Sequence, residues 1–588
     1  MLKEKSRKII IALLWTAMTV VLFFWNNASF QFSYYFAEQL RMFEWDSTYA
    51  WSTLLQPMGL VIYGADFLTQ FYHLPYMGAL VAAFIFLVLS LGFRGLCYRQ
   101  GVSPLYAGLA FLPGIVLTIL GENQFYHLEN SLAMVNVVLL LNLYIRIRGQ
   151  WWRATLLVLG SWLLYYTSGA GFLFFLLLAI VSEIRQSSSL RWLSLGLALV
   201  GILPVAAFYF HGDLGTASNV FTPFCYMNPR VPLDTVYYSW LLMIAVALLF
   251  IISPAPSHTS NKVVLVGAGL IQLAVVFVVA RHFYNKSFNA KNYIVMEADH
   301  YARRGQWESL LECTSSMDKN LFVMAYRNYA LAQLGILADK GLSFPQARQN
   351  GLIAPFNNAI PVMLFHTDYN YAIGNIALAQ RYAFETLVQS RNMGAPRMLL
   401  RLVQTNLILG AYEVAKKYIE RLEHTLYYKE EAQRYRQYLY HEELVEQDAD
   451  LGTRRKGIAG LDGTVEKLPT LNALFRSYQA NPNNAVLFQY LCMIAIVEKD
   501  LPSLRKLLDI GKNTEMVQHL PLHVQEGMVM FYSETPEQLE ELDIDAGVYN
   551  RFSEFVGLFS ASKQSQQAYN ELRYKFKNTL WYYFLFTK

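Results

Sequence analysis

The sequence predicts an all-α protein, a polytopic bundle of transmembrane helices followed by a soluble solenoid of tetratricopeptide-like helical hairpins. Three observations lead there. Hydrophobic residues make up 54% of the 588 and charged ones only 15%, against roughly 45–50% and about 25% in soluble globular proteins. The charges are unevenly spread, 24 in residues 1–280 and 67 in 281–588, which divides the chain into a membrane domain, 1–280, and a soluble helical-repeat domain, 281–588. Finally, glycines recur in the second part at positions 305, 335, 374 and 410, close to the ~34-residue period of tetratricopeptide arrays.

The first apolar run, Ile9–Trp25, follows Lys3, Lys5, Arg7 and Lys8. Its length, and the absence of an A-x-A site in Asn26–Phe30, favour an uncleaved first span over a signal peptide. Further runs at about 74–93, 104–120, 131–145, 154–167, 171–182, 192–210, 239–252 and 263–280 bring the expectation to nine spans. With the N-terminus inside, inward segments carry twelve basic residues and outward loops only Arg41 and Arg230, which is the positive-inside pattern.

Residues 154–181 decide where the second domain lies. One helix of 28 residues would be about 42 Å long, against about 30 Å of hydrocarbon. Thr167-Ser168-Gly169-Ala170-Gly171 interrupts it as a hairpin turn would, and a hairpin puts the soluble domain outside, in the periplasm of a bacterial inner membrane. A single long span would put it in the cytoplasm, and counting Arg281, Lys286 and Lys291 leaves charge unable to separate the two.

The outward loops 26–73, 121–130 and 211–238 gather most of the domain's carboxylates. In the first, Phe30–Asp46 interleaves aromatic residues with Glu38, Arg41, Glu44 and Asp46, as in a helix lying in the membrane interface. The second contains Glu122, His127 and Glu129.

In the soluble domain, segments such as Ala298–Trp307, Asn328–Gly335, Tyr369–Asn375 and Thr405–Ala415 read as helix, turn, helix. Another unit fits at Leu491–Asp500, after the stop-and-restart signal Asn481-Pro482-Asn483-Asn484. Asp448–Lys467, with Gly452, Gly457, Gly460 and Gly463, reads as a flexible surface loop, because the phosphate-loop pattern is absent. Trp581–Phe586 reads as a packed cap.

The net charge of +5 is too small to suggest nucleic acid. Cys97, Cys225, Cys313 and Cys492 have neither metal nor disulfide spacing, and no soluble-enzyme motif is present. The remaining candidates are the polar residues of the outward loops. An acceptor hydroxyl attacking an anomeric carbon must lose its proton, and Asp46 or Glu38 could take it as catalytic base. Arg41, Glu122, His127 and Arg230 are the candidate substrate- or phosphate-binding residues, a guanidinium matching phosphate in two-pronged fashion. No metal site is expected; a divalent cation is the candidate cofactor. The competing structural reading makes the acids the wet face of an interfacial helix, Arg41 an i,i+3 partner of Glu38 or Glu44, and Glu122, His127 and Glu129 span-end caps.

The segments Ala37-Glu38-Gln39-Leu40-Arg41-Met42-Phe43, Phe67-Leu68-Thr69-Gln70-Phe71-Tyr72 and Leu520-Pro521-Leu522-His523-Val524-Gln525-Glu526 resemble an uncharacterised family of polytopic proteins from Bacteroidota. The layout of 1–280 resembles GT-C glycosyltransferases, although this chain lacks the adjacent Asp-Glu pair that some of them carry after the first span. That resemblance implies a polyprenyl-phosphate-linked sugar as donor, used at the outer face, with the repeat domain gathering acceptor or partner. The alternative is a non-catalytic membrane scaffold whose exported repeat domain binds partner proteins of a cell-envelope assembly.

Overall fold

The computed structural model describes residues 2–103, 105–186, 188–210, 220–228, 232–253, 262–317, 319–458 and 471–587; among them there is no strand. The chain forms two compact units, residues 1–290 with 424–427, and residues 291–423 with 428–588.

Unit 1 contains the helices α1 (Leu2–Glu38), α2 (Ser47–Leu54), α3 (Gly59–Thr69), α4 (Met77–Gln100), α5 (Leu112–Leu120), α6 (Leu128–Arg146), α7 (Gln150–Ser168), α8 (Gly171–Arg185), α9 (Leu193–Phe210), α10 (Asp234–Ile252) and α11 (Lys262–Ser287). A helix overlaps each of the nine predicted apolar runs, and five among the described residues are long and apolar enough to cross a membrane: Ala12–Glu38 of α1, α4, α6, α10 and Val263–Ser287 of α11. No residue in the most apolar window of α11 is buried; Val266, Leu270 and Phe277 are all more than 60% exposed. Such a helix requires apolar surroundings that the protein itself does not supply.

One expectation needs correction. Residues 30–38 do not form a separate interfacial helix; they continue α1. Asn26 donates to the Leu22 carbonyl and accepts from the Tyr34 hydroxyl, so the polar stretch that seemed to end the span is satisfied within the helix. The run 104–120, expected to be shorter than a full crossing, is a short apolar helix over Ala107–Leu120, 3-10 as far as Phe111 and α from Leu112.

The segment 154–181 is two helices. Gly169 turns the chain at φ +68°, and an added Cβ there would lie 2.6 Å from Met58 Cγ, so both conformation and space demand glycine. The Tyr226 hydroxyl holds the turn together, donating to the Ser168 carbonyl and accepting from the Gly171 amide. Elsewhere α4 approaches α6 through Gly92, whose added Cβ would lie 2.6 Å from Val138, and Asn142 on α6 donates to the Gly92 carbonyl at 2.9 Å. Small residues at such crossings let apolar helices pack closely.

Alternating helix directions give unit 1 a basic and an acidic end. Arg94, Arg99, Arg146, Arg148, Arg153, Arg185 and Arg191 lie where α4, α6 and α8 finish and α7 and α9 begin. There Arg153 and Tyr144 both bond Glu183. Glu38, Asp46, Asp66, Glu122 and Glu129 occupy the opposite end, and Asn123 bonds the carbonyl of Ser287 there, so α11 finishes at the acidic end.

Unit 2 is built from paired helices: α12 (Ala290–Arg303) with α13 (Trp307–Thr314), α14 (Leu321–Gln333) with α15 (Leu337–Lys340), α16 (Ile360–Ala372) with α17 (Ile376–Gln389), α18 (Pro396–Ile408) with α19 (Tyr412–Glu423), and α20 (Ala485–Val497) with α21 (Leu501–Ile510). The first helix of each pair ends in the same way. Gly305, Gly335, Gly374 and Gly410 are left-handed, with φ of 66°, 74°, 85° and 72°, and Lys499 takes that role in the fifth pair at φ 60°. The following amide reaches back five residues, as from Gln306 to the Tyr301 carbonyl and from Asp500 to the Ala495 carbonyl, which is the Schellman arrangement. From Leu487 to Val497 every residue of α20 is buried, as an apolar-all-round helix must be.

A charge ladder ties the pairs together. Arg397 on α18 bonds both oxygens of Asp299 at 2.9 Å and also Asp368; Arg401 bonds Asp368 and lies 3.7 Å from the centre of the Tyr371 ring. The front of the segment read as a loop, Leu451–Gly457, is instead a helix. Its Arg454 covers the Tyr371 ring, and its Arg455 bonds the Ile408 and Leu407 carbonyls at the end of α18. Residues 459–470, including Gly460 and Gly463, lie outside the described residues. The terminal helix Leu580–Phe586 packs through buried Trp581, whose indole donates to the Glu526 carbonyl.

Candidate functional site

Of the polar residues nominated by the sequence, Arg41 enters a buried charge cluster at the acidic end of unit 1. After α1 stops, the turn through Leu40 directs Arg41 inward. One terminal nitrogen lies 2.8 Å from both oxygens of Glu129, and the other 3.2 Å from Asp66. The Tyr49 hydroxyl donates to the second Asp66 oxygen at 2.9 Å. One guanidinium therefore joins the loop after α1 to α3 and the first turn of α6, and Tyr49 ties α2 to the same Asp66. Glu129 also suits its place, because a helix N-terminus favours negative charge.

The cluster is nearly dry, with the side chains of Arg41, Asp66 and Glu129 at 10%, 5% and 0% exposure. Burial, the largest single influence on Arg41, works against its charge; Glu129 and Asp66 outweigh it and hold the pKa above the usual arginine value. Burial also raises Tyr49, with the Asp66 charge adding to the effect. With one cation between two carboxylates, the group carries a net negative charge. A lipid phosphate at Arg41 would have to compete with these two carboxylates.

The other nominated residues have distinct placements. Asp46 is the N-cap of α2, accepting from the Tyr49 amide at 3.1 Å, and that bond holds its carboxyl below the usual range. Buried Glu38 lies 3.5 Å from His73 Nδ1. Phe43 fills the space beneath α2 and α3, with Trp45, Tyr49, Tyr63 and Phe67 edge-on around it at 5.0–5.6 Å. His127 stands at the N-cap position of α6. Glu122 follows α5 and is buried. Arg230 lies outside the described residues.

Beside Arg41 is a cavity of about 50 Å³ that Tyr34, Thr69, Tyr72, Asn123 and Tyr126 help to line. It suits a few waters and is far smaller than the roughly 300–1,000 Å³ of small-molecule sites. Among the described residues no group of three or more His, Cys, Asp or Glu side chains is placed to hold a metal ion, so the candidate divalent cation finds no ligand set there. Sequence reasoning missed Asp66 and Tyr49 as members of this cluster. The available signal was Arg41 itself, a cation at an acidic end that required a buried counter-charge.

Fold and site together define an all-helical protein with several apolar helices, whose unit 1 has a basic and an acidic end. The chain belongs to DUF6057, a family of unknown function whose model matches residues 5–587. No curated protein and no solved structure matches it.

Proposed function

We propose that this protein is a multi-pass scaffold of the bacterial inner membrane, with its basic end in the cytoplasm and a tetratricopeptide-like unit 2 in the periplasm, where it binds partner proteins of a cell-envelope assembly. The closure of Arg41 between Glu129 and Asp66 carries this reading. Arg41, Asp66 and Glu129 engage one another and brace the helices, which leaves the paired helices of unit 2 as the recognition surface. Orientation is supported by the seven arginines at the basic end, and by exposed Trp151, Trp152 and Trp192 there with Trp45 and Trp51 at the other, as in the two aromatic belts of membrane proteins.

A photo-crosslinker at half-exposed Phe384, in the full-length protein in living cells, tests the scaffold directly. The reading expects a discrete cross-linked protein of reproducible mass. Capture of lipid alone, or of nothing, contradicts it.

A second reading, a GT-C-like transferase using a polyprenyl-phosphate-linked sugar, draws support from the mainly apolar cavity that Arg41 helps to line and from the buried acid Glu122. In that reading Asp46 or Glu38 takes the acceptor proton, and Asp46→Asn abolishes a surface-glycan phenotype at normal protein abundance.

A further inference from the structure

Glu122 is the buried ionisable group of unit 1 that the charge cluster leaves unexplained. It is 3% exposed, and neither carboxyl oxygen has a hydrogen-bond partner. Its own loop and α11 lie beside it. From its own loop, Asn123 donates to the Ser287 carbonyl at 3.4 Å and accepts from the Phe125 amide at 2.9 Å. From α11, Tyr284 is the titratable group whose ionisation the Glu122 charge opposes, and Arg281 is the charged group acting on Tyr284 in turn. The Ser287 hydroxyl, on the last residue of α11, is likewise buried without a partner.

An ionised carboxylate here would have neither donor nor counter-charge, so the neutral acid is the stable form. Burial pushes the Glu122 carboxyl up to about 9. The end of the preceding helix, α5, meets the C-terminal turns of α11 through this loop. A charge at Glu122 would draw water into the seam between them.

We infer that Glu122 is a proton-binding site of unit 1: the protonated acid seals the 121–127 loop against the end of α11, and loss of the proton opens that seam. The inference does not depend on whether the protein is a scaffold or a transferase.

The sign of the pH dependence follows from the raised value. Below about 4.5, the usual glutamate range, folded and unfolded chains both hold the proton. As pH rises from there towards 9, the unfolded chain alone gives it up, so this contribution to stability falls across that window. The test is thermal unfolding of full-length protein in detergent between pH 5 and 9, wild type against Glu122→Gln. The variant is expected to show a flatter fall in stability, because the amide cannot ionise. A slope equal to wild type overturns the inference. Should the variant fail to accumulate, a hydrophobic carbodiimide at pH 7.5 tests the wild type, since it adds to protonated carboxyls in apolar surroundings. Modification of the peptide carrying Glu122 supports the inference, and an unmodified peptide overturns it.

Discussion

Arg41 and Glu129 stand 88 residues apart in the chain, and one guanidinium nitrogen of the first lies 2.8 Å from each carboxylate oxygen of the second. This pair, with Asp66, joins the end of α1 to the start of α6. Its strength lies less in attraction than in what is left when one partner goes, because the survivor is a buried charge without compensation. Arg41→Ala or Glu129→Ala should each cost about 3–5 kcal/mol of stability. Arg41→Lys should not rescue, since an ammonium cannot span both carboxylates in the same geometry. Thermal unfolding of the detergent-solubilised full-length variants measures this; losses under 1 kcal/mol would mean that the acidic end is not braced by the pair.

The turn between α7 and α8 makes a second prediction. Gly169→Ala places a side chain in a left-handed backbone and against Met58, and should destabilise by roughly 1–3 kcal/mol. Tyr226→Phe leaves the Ser168 carbonyl and Gly171 amide without their shared partner, at a cost of about 1–3 kcal/mol. An additive double variant, read from the same unfolding curves, would show that the hydroxyl and the glycine act separately; the contact predicts less than additivity.

In unit 2, burial is the largest influence on Asp368 and opposes ionisation, but Arg397 and Arg401 outweigh it and hold the pKa below the usual aspartate value. The folded value being the lower one, this stabilisation is present above about pH 4 and is lost as pH falls through the folded pKa. Arg397→Met should weaken unit 2 by about 3–5 kcal/mol at neutral pH, and should flatten the fall in stability as pH drops below about 4. Circular dichroism during acid titration of the full chain provides the comparison.

What the sequence revealed, and what it hid, follows from the range of each interaction. Gly169 and the four glycines of unit 2 were legible because a left-handed turn is decided by the residue that makes it. Lys499 escaped the pattern because it pays the strain of the same conformation without being glycine. The continuation of α1 past Asn26 was hidden by polar residues that satisfy one another one and two turns apart along the helix. The partners of Arg41 could not be read at all: nothing local connects position 41 with 66 or 129, and only the packing of α3 and α6 brings those carboxylates together.

The claim that the acidic end is structural, and that unit 2 does the recognising, meets its most direct test in the residues first nominated for chemistry. Asp46→Asn keeps a side chain able to cap α2, and Glu38→Gln keeps the shape of a buried side chain, while both remove a carboxylate that could act as base. Cells lacking the protein are complemented with the full-length double variant, and the envelope phenotype is measured at matched protein abundance. Full complementation is the predicted result. Loss of complementation by a folded, normally abundant double variant would contradict the account and return the acidic end to catalysis.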